Sequence, residues 1–251
     1  MQAVNHSTVC YAEKRKAKSQ RVLEAFAAGC GGRMAWTDAE FLEDGDVAFY
    51  GVRPAWSRLW RQAMAEGRTV MYIDNSFFDD TREQKFRVGR NVVQMYEFPK
   101  RDYPKFRRPI MPWREGGDHI VVCPQSSEFM VCVENFSEQW EEWIARRLRM
   151  YTTRPLRIRK KGEKRPLADD LRGAWALVTH TSAAANEALI HGIPTFTTGL
   201  CAATTMSRHD LAQIENPRLP NGRAEWAAAV AAHEWTLDEM RSGKCWNDLG
   251  Q

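Results

Sequence analysis

The sequence predicts an α/β protein of two lobes with mostly parallel sheets. Two observations carry this expectation. Apolar runs that read as strands alternate with amphipathic helices over residues 47–75 and again over 119–196, the pattern that crossover helices impose on parallel strands. A stretch rich in Pro and Gly, from Pro109 to Gly117, separates the two series and reads as a linker. The expected lobes are therefore residues 1–112 and 113–251, within the range that 251 residues allow.

Taken in order, residues 5–9 read as a short edge strand. Tyr11 to Ala28 reads as a helix with Val22, Leu23, Phe26 and Ala27 on one stripe, stopped by the glycines at 29, 31 and 32. Val47 to Tyr50 is an apolar strand ending at Gly51, where backbone can approach a ligand closely. Trp56 to Glu66 is a helix with Trp56, Leu59, Trp60 and Ala63 on one side, and Thr69 to Ile73 is the next strand, ending in Asp74 and Asn75. Ligands of open α/β sheets bind beyond the carboxyl ends of strands, which puts Gly51 and Asp74 at a candidate crevice. Residues 77–112 are less regular, with aromatics among Arg and Lys and a β-hairpin expected around Lys85 to Met95.

His119 to Cys123 opens the second series and is followed by the turn Pro124-Gln125-Ser126-Ser127. Ser137 to Tyr151 is a helix burying Trp140, Trp143, Ile144 and Leu148. Pro155 to Arg159 is a strand running into Lys160, Lys161 and Gly162, and Leu167 to Arg172 is a short helix. Ser207 to Ile214 and Arg223 to Glu234 read as helices. Thr236-x-x-Glu239 is a capping box that starts a terminal helix through Met240. No internal repeat is visible.

Composition narrows the class. The hydrophobic fraction of 43% is that of a globular protein, and ten Trp residues are by default core, although Trp also stacks on bases and sugars. The net charge of +4 is too mild to indicate nucleic acid by itself. Its distribution is more telling. Lys14 to Lys18, Lys100-Arg101, Lys105 to Arg108, Arg146-Arg147 and Arg157 to Lys161 form basic clusters, read either as solvated faces or as a polyanion surface. The six Cys residues form no CxxC pair or Cys/His set, so no zinc or other metal is expected. The N-terminus lacks an apolar signal core, and no window of about 18 apolar residues occurs. A cytoplasmic protein with free thiols and no membrane partner is expected.

The richest segment is Trp175 to Phe196. Trp175 to Val178 ends a strand, a tight turn follows, and a short helix stops at Gly192 before Pro194. Thr181 or Ser182 can cap that helix, whose unpaired N–H groups make an anion site. Glu187 leans back toward the helix start, so its carboxylate can reach a ribose hydroxyl while the turn holds phosphate. An ordinary strand–helix–strand unit can also end in Gly-x-Pro, and Glu187 then is an exposed helix charge.

This segment, with Leu171 to His180 ahead of it, resembles the donor-site motif of GT-B glycosyltransferases, in which a small-residue helix carries a Glu for the donor ribose. The likeness is good over the C-terminal half and loose over the rest. It is nearest to small phage-type GT-B-like glycosyltransferases that resemble enzymes glycosylating hydroxymethylated pyrimidines in DNA. What the resemblance implies is a GT-B-like fold of two Rossmann-like lobes with a cleft between them. It also implies a nucleotide-sugar donor, expected to be a UDP-sugar, no required cofactor, and DNA as acceptor in the host cytoplasm. A transferase for surface polysaccharide resembles the same motif, and a non-catalytic DNA-binding protein on such a fold is a third reading.

Within that reading, phosphate falls to Thr181 and Ser182, then to Arg159 and Lys161 at a strand end, with His180 beside them. Gln125 and Ser126 line the same pocket, and Glu187 holds the ribose. No Asp-x-Asp metal motif occurs, and the carboxylates of Asp79-Asp80 and Asp169-Asp170 point apart rather than converge. Asp74 is the candidate base for the acceptor hydroxyl, or else a strand-ending turn Asp. Asn75 positions the acceptor, and Gly51 lets substrate approach. Lys85, Arg87 and Arg90, with the basic–aromatic run Phe98 to Arg108, are the expected DNA contacts, cations for phosphates and aromatics for an extruded base.

Overall fold

The computed structural model describes residues 7–51, 54–78, 84–136 and 139–250. The chain divides into two units, one formed by residues 1–95 with 233–251 and the other by residues 96–232. The division thus falls near 95 rather than 112, and the tail returns to the first unit.

The first unit contains β1 (Val9–Ala12), α1 (Ala17–Cys30), β2 (Arg33–Trp36), β3 (Val47–Tyr50), α2 (Pro54–Ala65), β4 (Val70–Asn75) and β5 (Phe86–Arg90). Its sheet has the order β2-β1-β3-β4-β5, parallel except for the antiparallel β5. All four residues of β1 and of β3 are buried, as in strands covered on both faces. On one face Val22, Leu23 and Phe26 of α1 pack on Cys10, Ala48, Met71 and Ile73. On the other, Phe49 stacks on Tyr11 and on Trp56, with centroids 5.6 and 5.1 Å apart, and Trp60 meets Tyr72 at 5.8 Å.

The second unit contains β6 (His119–Cys123), α3 (Ser127–Cys132), α4 (Trp140–Leu148), β7 (Leu156–Ile158), α5 (Leu167–Leu171), β8 (Ala174–Thr179), α6 (Ala184–Ile190), β9 (Thr195–Thr197) and α7 (Arg223–Ala232). Its sheet is all parallel, in the order β7-β6-β8-β9. Residues 96–118 have no regular structure but are bonded to this unit. Met111 N–H donates to the Ile190 carbonyl, Arg114 N–H to that of Gly192, and Asp118 N–H to that of Gly173. The Pro/Gly-rich stretch is therefore packed chain of the second unit, not a linker.

The tail carries α8 (Leu237–Arg241) and α9 (Lys244–Leu249). Phe86 and Trp235 exchange two backbone hydrogen bonds of 2.8 Å, and Trp235, Met240 and Cys245 enter the core around α1. The capping box at Thr236 and Glu239 forms as read.

Other expectations change. The first strand spans Val9–Ala12 and lies inside the sheet rather than at its edge, so Tyr11 and Ala12 belong to it and the helix starts only at Ala17. The hairpin expected over 85–95 is a single strand paired with β4. Of the helix expected over 207–214 only a 3-10 turn, Leu211–Gln213, forms, because Arg208 pairs with the edge of β9; another 3-10 turn, Thr204–Met206, precedes it. Ser137, residues 5 and 6, and the pair Asp79-Asp80 lie outside the described residues.

One buried acid ties the tail to the end of β4. Glu234 Oε1 accepts the Phe77 and Phe78 N–H groups at 2.7 and 2.9 Å. Burial pushes its carboxyl up from 4.5 to about 7, against the opposing pull of those bonds and of Lys85 and Arg87. With the folded value raised, this group's contribution to stability is full below about pH 4.5 and falls as pH rises toward 7. Glu234→Gln, which keeps the acceptor oxygen, is expected to flatten the decline in thermal midpoint between pH 5 and pH 8. An unchanged pH profile in differential scanning calorimetry refutes this.

Candidate functional site

Strands β6 and β8 are neighbours, while their forward connections go to β7 on one side and to β9 on the other. This is the switch point at which doubly wound sheets leave a crevice beyond the carboxyl ends of strands. Cys123 and Thr179 are opposite each other at that edge, and the Thr179 hydroxyl donates to the Cys123 carbonyl at 2.6 Å. The two following loops meet directly. Gln125 Nε2 donates to Thr181 Oγ1 at 2.5 Å, and the Thr181 side chain is buried. Burial pushes the Cys123 thiol up to about 12, so it remains a protonated, structural group.

His180 is enclosed in the same corner. Its Nδ1 lies 2.9 Å from Thr198 Oγ1, and its Nε2 faces Glu134 Oε1 at 3.4 Å, outside hydrogen-bond geometry. Phe129 and Trp140 flank the ring at 6.4 Å. Gly199 closes the remaining side, where a Cβ would lie 2.6 Å from the imidazole and 2.7 Å from the Thr181 methyl. A side chain at 199 would displace both residues. Glu134, Thr198 and Gly199 were not singled out from sequence. A β-strand end followed by Thr-Thr-Gly after Gly-Ile-Pro was the available signal for the last two.

The turn itself differs in detail. Helix α6 begins at Ala184, and neither Thr181 nor Ser182 caps it. Ser182 instead donates its N–H to Thr179 Oγ1 and accepts from the Ala184 N–H at 3.3 Å. Ser126 caps α3 by accepting from Phe129 N–H at 3.3 Å, so its hydroxyl holds that helix while Gln125 reaches across. Gly192 does stop α6, at φ +76°.

Arg159 is held elsewhere. The Asp170 carboxylate is fully buried and bonds to Arg159 at 2.6 Å and Arg165 at 2.6 Å, with Arg157 at 3.9 Å. The expected phosphate ligand is thus a structural counter-ion, and Lys161 is left exposed on the adjoining turn. Glu187 is also not an open helix charge. Arg108 grips it bidentately, with both N–H···O distances 2.7 Å.

In the first unit, Gly51 (φ +63°), Asp74 and Asn75 share the carboxyl edge of the sheet. Asp74 bonds across the strand pair to Arg87 at 3.0 Å and accepts the Asn75 N–H at 2.8 Å. Asn75 Oδ1 accepts from Lys18 and from the Tyr50 hydroxyl. The expected DNA face does not assemble here. Phe86 and Arg87 are buried, Lys85 is half-buried, and Arg90 sits opposite Met71, at the other end of β4 from Asp74. Phe86 packs on Tyr50 and cannot replace base stacking.

Among the described residues no group of three or more His, Cys, Asp and Glu gathers to hold a metal, and no helix is long and apolar enough to cross a membrane. No family model matches the chain, and no curated protein sequence matches it. Solved structures do. The Thermosulfurimonas dismutans KpsC beta Kdo 2,7 transferase is 10% identical, with 98% of this chain and 100% of that chain covered and a TM-score of 0.51. The fold is α/β and GT-B-like, with mostly parallel sheets. A second structure, the KpsC beta Kdo 2,4 transferase of the same organism, is 14% identical over 90% of both chains, with a TM-score of 0.42.

Removing the Asp170 charge leaves the Arg159 guanidinium without its buried counter-ion. Asp170→Asn is expected to cost about 3 kcal/mol, the lower part of the range for breaking a buried pair, since Arg157 and Arg165 remain half in water. A shift in the urea midpoint corresponding to under 1 kcal/mol refutes this.

Proposed function

We propose that the chain is a glycosyltransferase that takes a nucleotide-sugar donor at the β6/β8 switch point. The observation that carries the reading is the convergence of Gln125, Thr181 and His180 on one corner, each held by a partner from a different loop. Preorganised donors of this kind stabilise a departing phosphate without reorganising as the bond breaks. In the transfer, the acceptor oxygen bonds to the anomeric carbon as the bond from that carbon to phosphate oxygen breaks. Thr181, Ser182 and Gln125 donate to the phosphate oxygens, and His180, enclosed between Thr198 and Glu134, holds the turn that presents them. Glu187 accepts from the ribose hydroxyls. An ionised carboxylate accepts up to about four hydrogen bonds, so it can serve the ribose while Arg108 fixes its rotamer. Asp74 is the base of an inverting reaction, oriented by Arg87.

The acceptor preferred by the motif resemblance is a hydroxymethylated pyrimidine in DNA. The second reading, a saccharide acceptor, is favoured by the full-length fold likeness to a beta Kdo transferase. One experiment separates them. Labelled nucleotide sugars, UDP-sugars first, are incubated with hydroxymethylated DNA or with an oligosaccharide panel, and product mass is measured. No transfer to either class sinks the proposal.

Two variants test the roles. Glu187→Ala is expected to weaken donor binding about tenfold or more by calorimetry, the cost of losing charge-assisted hydrogen bonds; parent-like affinity removes Glu187 from the site. Asp74→Asn is expected to lower kcat about a hundredfold or more with donor affinity nearly unchanged. Undiminished turnover ends its role as base.

A further inference from the structure

A cavity of about 460 Å3 lies in the second unit, along α6 and the chain segment that runs beside it. Its apolar wall is Met111, Trp113 and Ile190, with Pro109 and Pro112, and its rim is Arg108, Arg114 and His191. The volume is that of a small-ligand site. Its charge is unbalanced. Arg108 is matched by Glu187, but the Arg114 side chain bonds only to the Leu171 carbonyl among the contacts of the described residues. Arg223 lies 3.7 Å over the Trp113 ring and donates to the Leu189 carbonyl, with no carboxylate among its contacts in the described residues. Burial pulls its guanidinium below the ordinary value, as for a cation lacking a counter-ion.

The cavity does not stand alone. The segment leading into it, residues 100–114, carries six cations (Lys100, Arg101, Lys105, Arg107, Arg108 and Arg114) against one acid, Asp102. Lys100, Arg101, Lys105 and Arg107 are exposed, and the segment has no regular secondary structure. A small anion would need only the rim. A cationic track of this length fits a polyanion. The cavity's side chains are apolar, guanidinium or imidazole. A planar base fits such walls, with its phosphates on the arginines.

We propose that this groove anchors a single-stranded nucleic acid, one base entering against Trp113 and the backbone following residues 100–108. The groove borders the donor site through Arg108, which also holds Glu187, but it stands whether or not sugar is transferred at the switch-point corner; it supplies a strand-binding surface that β5 does not.

The test is fluorescence anisotropy of a labelled oligo(dT) strand with the full chain at rising salt. The expected result is binding that weakens linearly in log Kd against log salt, with a slope of about 0.7 per phosphate neutralised. Trp113→Ala is expected to weaken binding about tenfold, while Trp113→Phe retains most of it, which separates stacking from misfolding. Lys105→Glu with Arg107→Glu is expected to reduce the salt slope. Heparin is expected to compete equally against the parent and Trp113→Ala, by charge alone. No salt-sensitive binding, equal affinity in Trp113→Ala, or tighter binding of a duplex overturns the inference. A chain that transfers sugar without binding the strand refutes this groove alone; one that binds the strand without transferring sugar refutes only the transferase reading.

Discussion

Strands β6 and β8 lie side by side although β7 comes between them in sequence, and most of the second unit follows from that adjacency. A parallel crossover must pass over one face of the sheet in a right-handed sense, so chains leaving the two neighbouring strands in opposite directions cannot cover the gap between them. The loops after Cys123 and Thr179 are left to meet each other. Gln125, Thr181 and His180 come together for that reason, and the short bond from Thr179 to the Cys123 carbonyl fixes the spacing of the two strand ends. The first unit has the same strand order up to its antiparallel edge, with Gly51 and Asp74 at the corresponding edge.

Charge is distributed by burial before it is available to any ligand. A buried carboxylate recruits guanidiniums because leaving it bare in a poorly polarisable interior costs several kcal/mol. Fully buried Asp170 claims Arg159, and the half-buried Asp74 and Glu187 claim Arg87 and Arg108. These are the arginines that a sequence reading assigns to phosphates, since nothing in a linear list of basic residues shows which are already paired. Among the cations left in water are Lys100, Arg101, Lys105 and Arg107, on a stretch without helix or strand.

The parallel sheets were legible because their strands are short apolar runs between helical stripes. The segment from Trp175 to Phe196 was legible because a Gly in the left-handed region and a following Pro punctuate it. The boundary near 95 was not, since Pro- and Gly-rich chain reads as a linker whether or not it hydrogen-bonds to α6. The single strand β5 was read as a hairpin by itself, although it pairs antiparallel with β4, the strand that precedes it in sequence. Glu134 entered the site unannounced, as long-range pairing with His180 leaves no local spacing to detect. Glu187 was found, but its grip by Arg108 joins positions 79 apart in sequence.

The returning tail sets an order on biosynthesis. Trp235, Met240 and Cys245 fill the core around α1 and pair with the edge at Phe86. On the ribosome, residues 1–95 therefore wait for residues 233–251, which are made only after the second unit. A nascent chain halted before codon 233 would hold a finished second unit and an open, apolar first one, the species that chaperones capture.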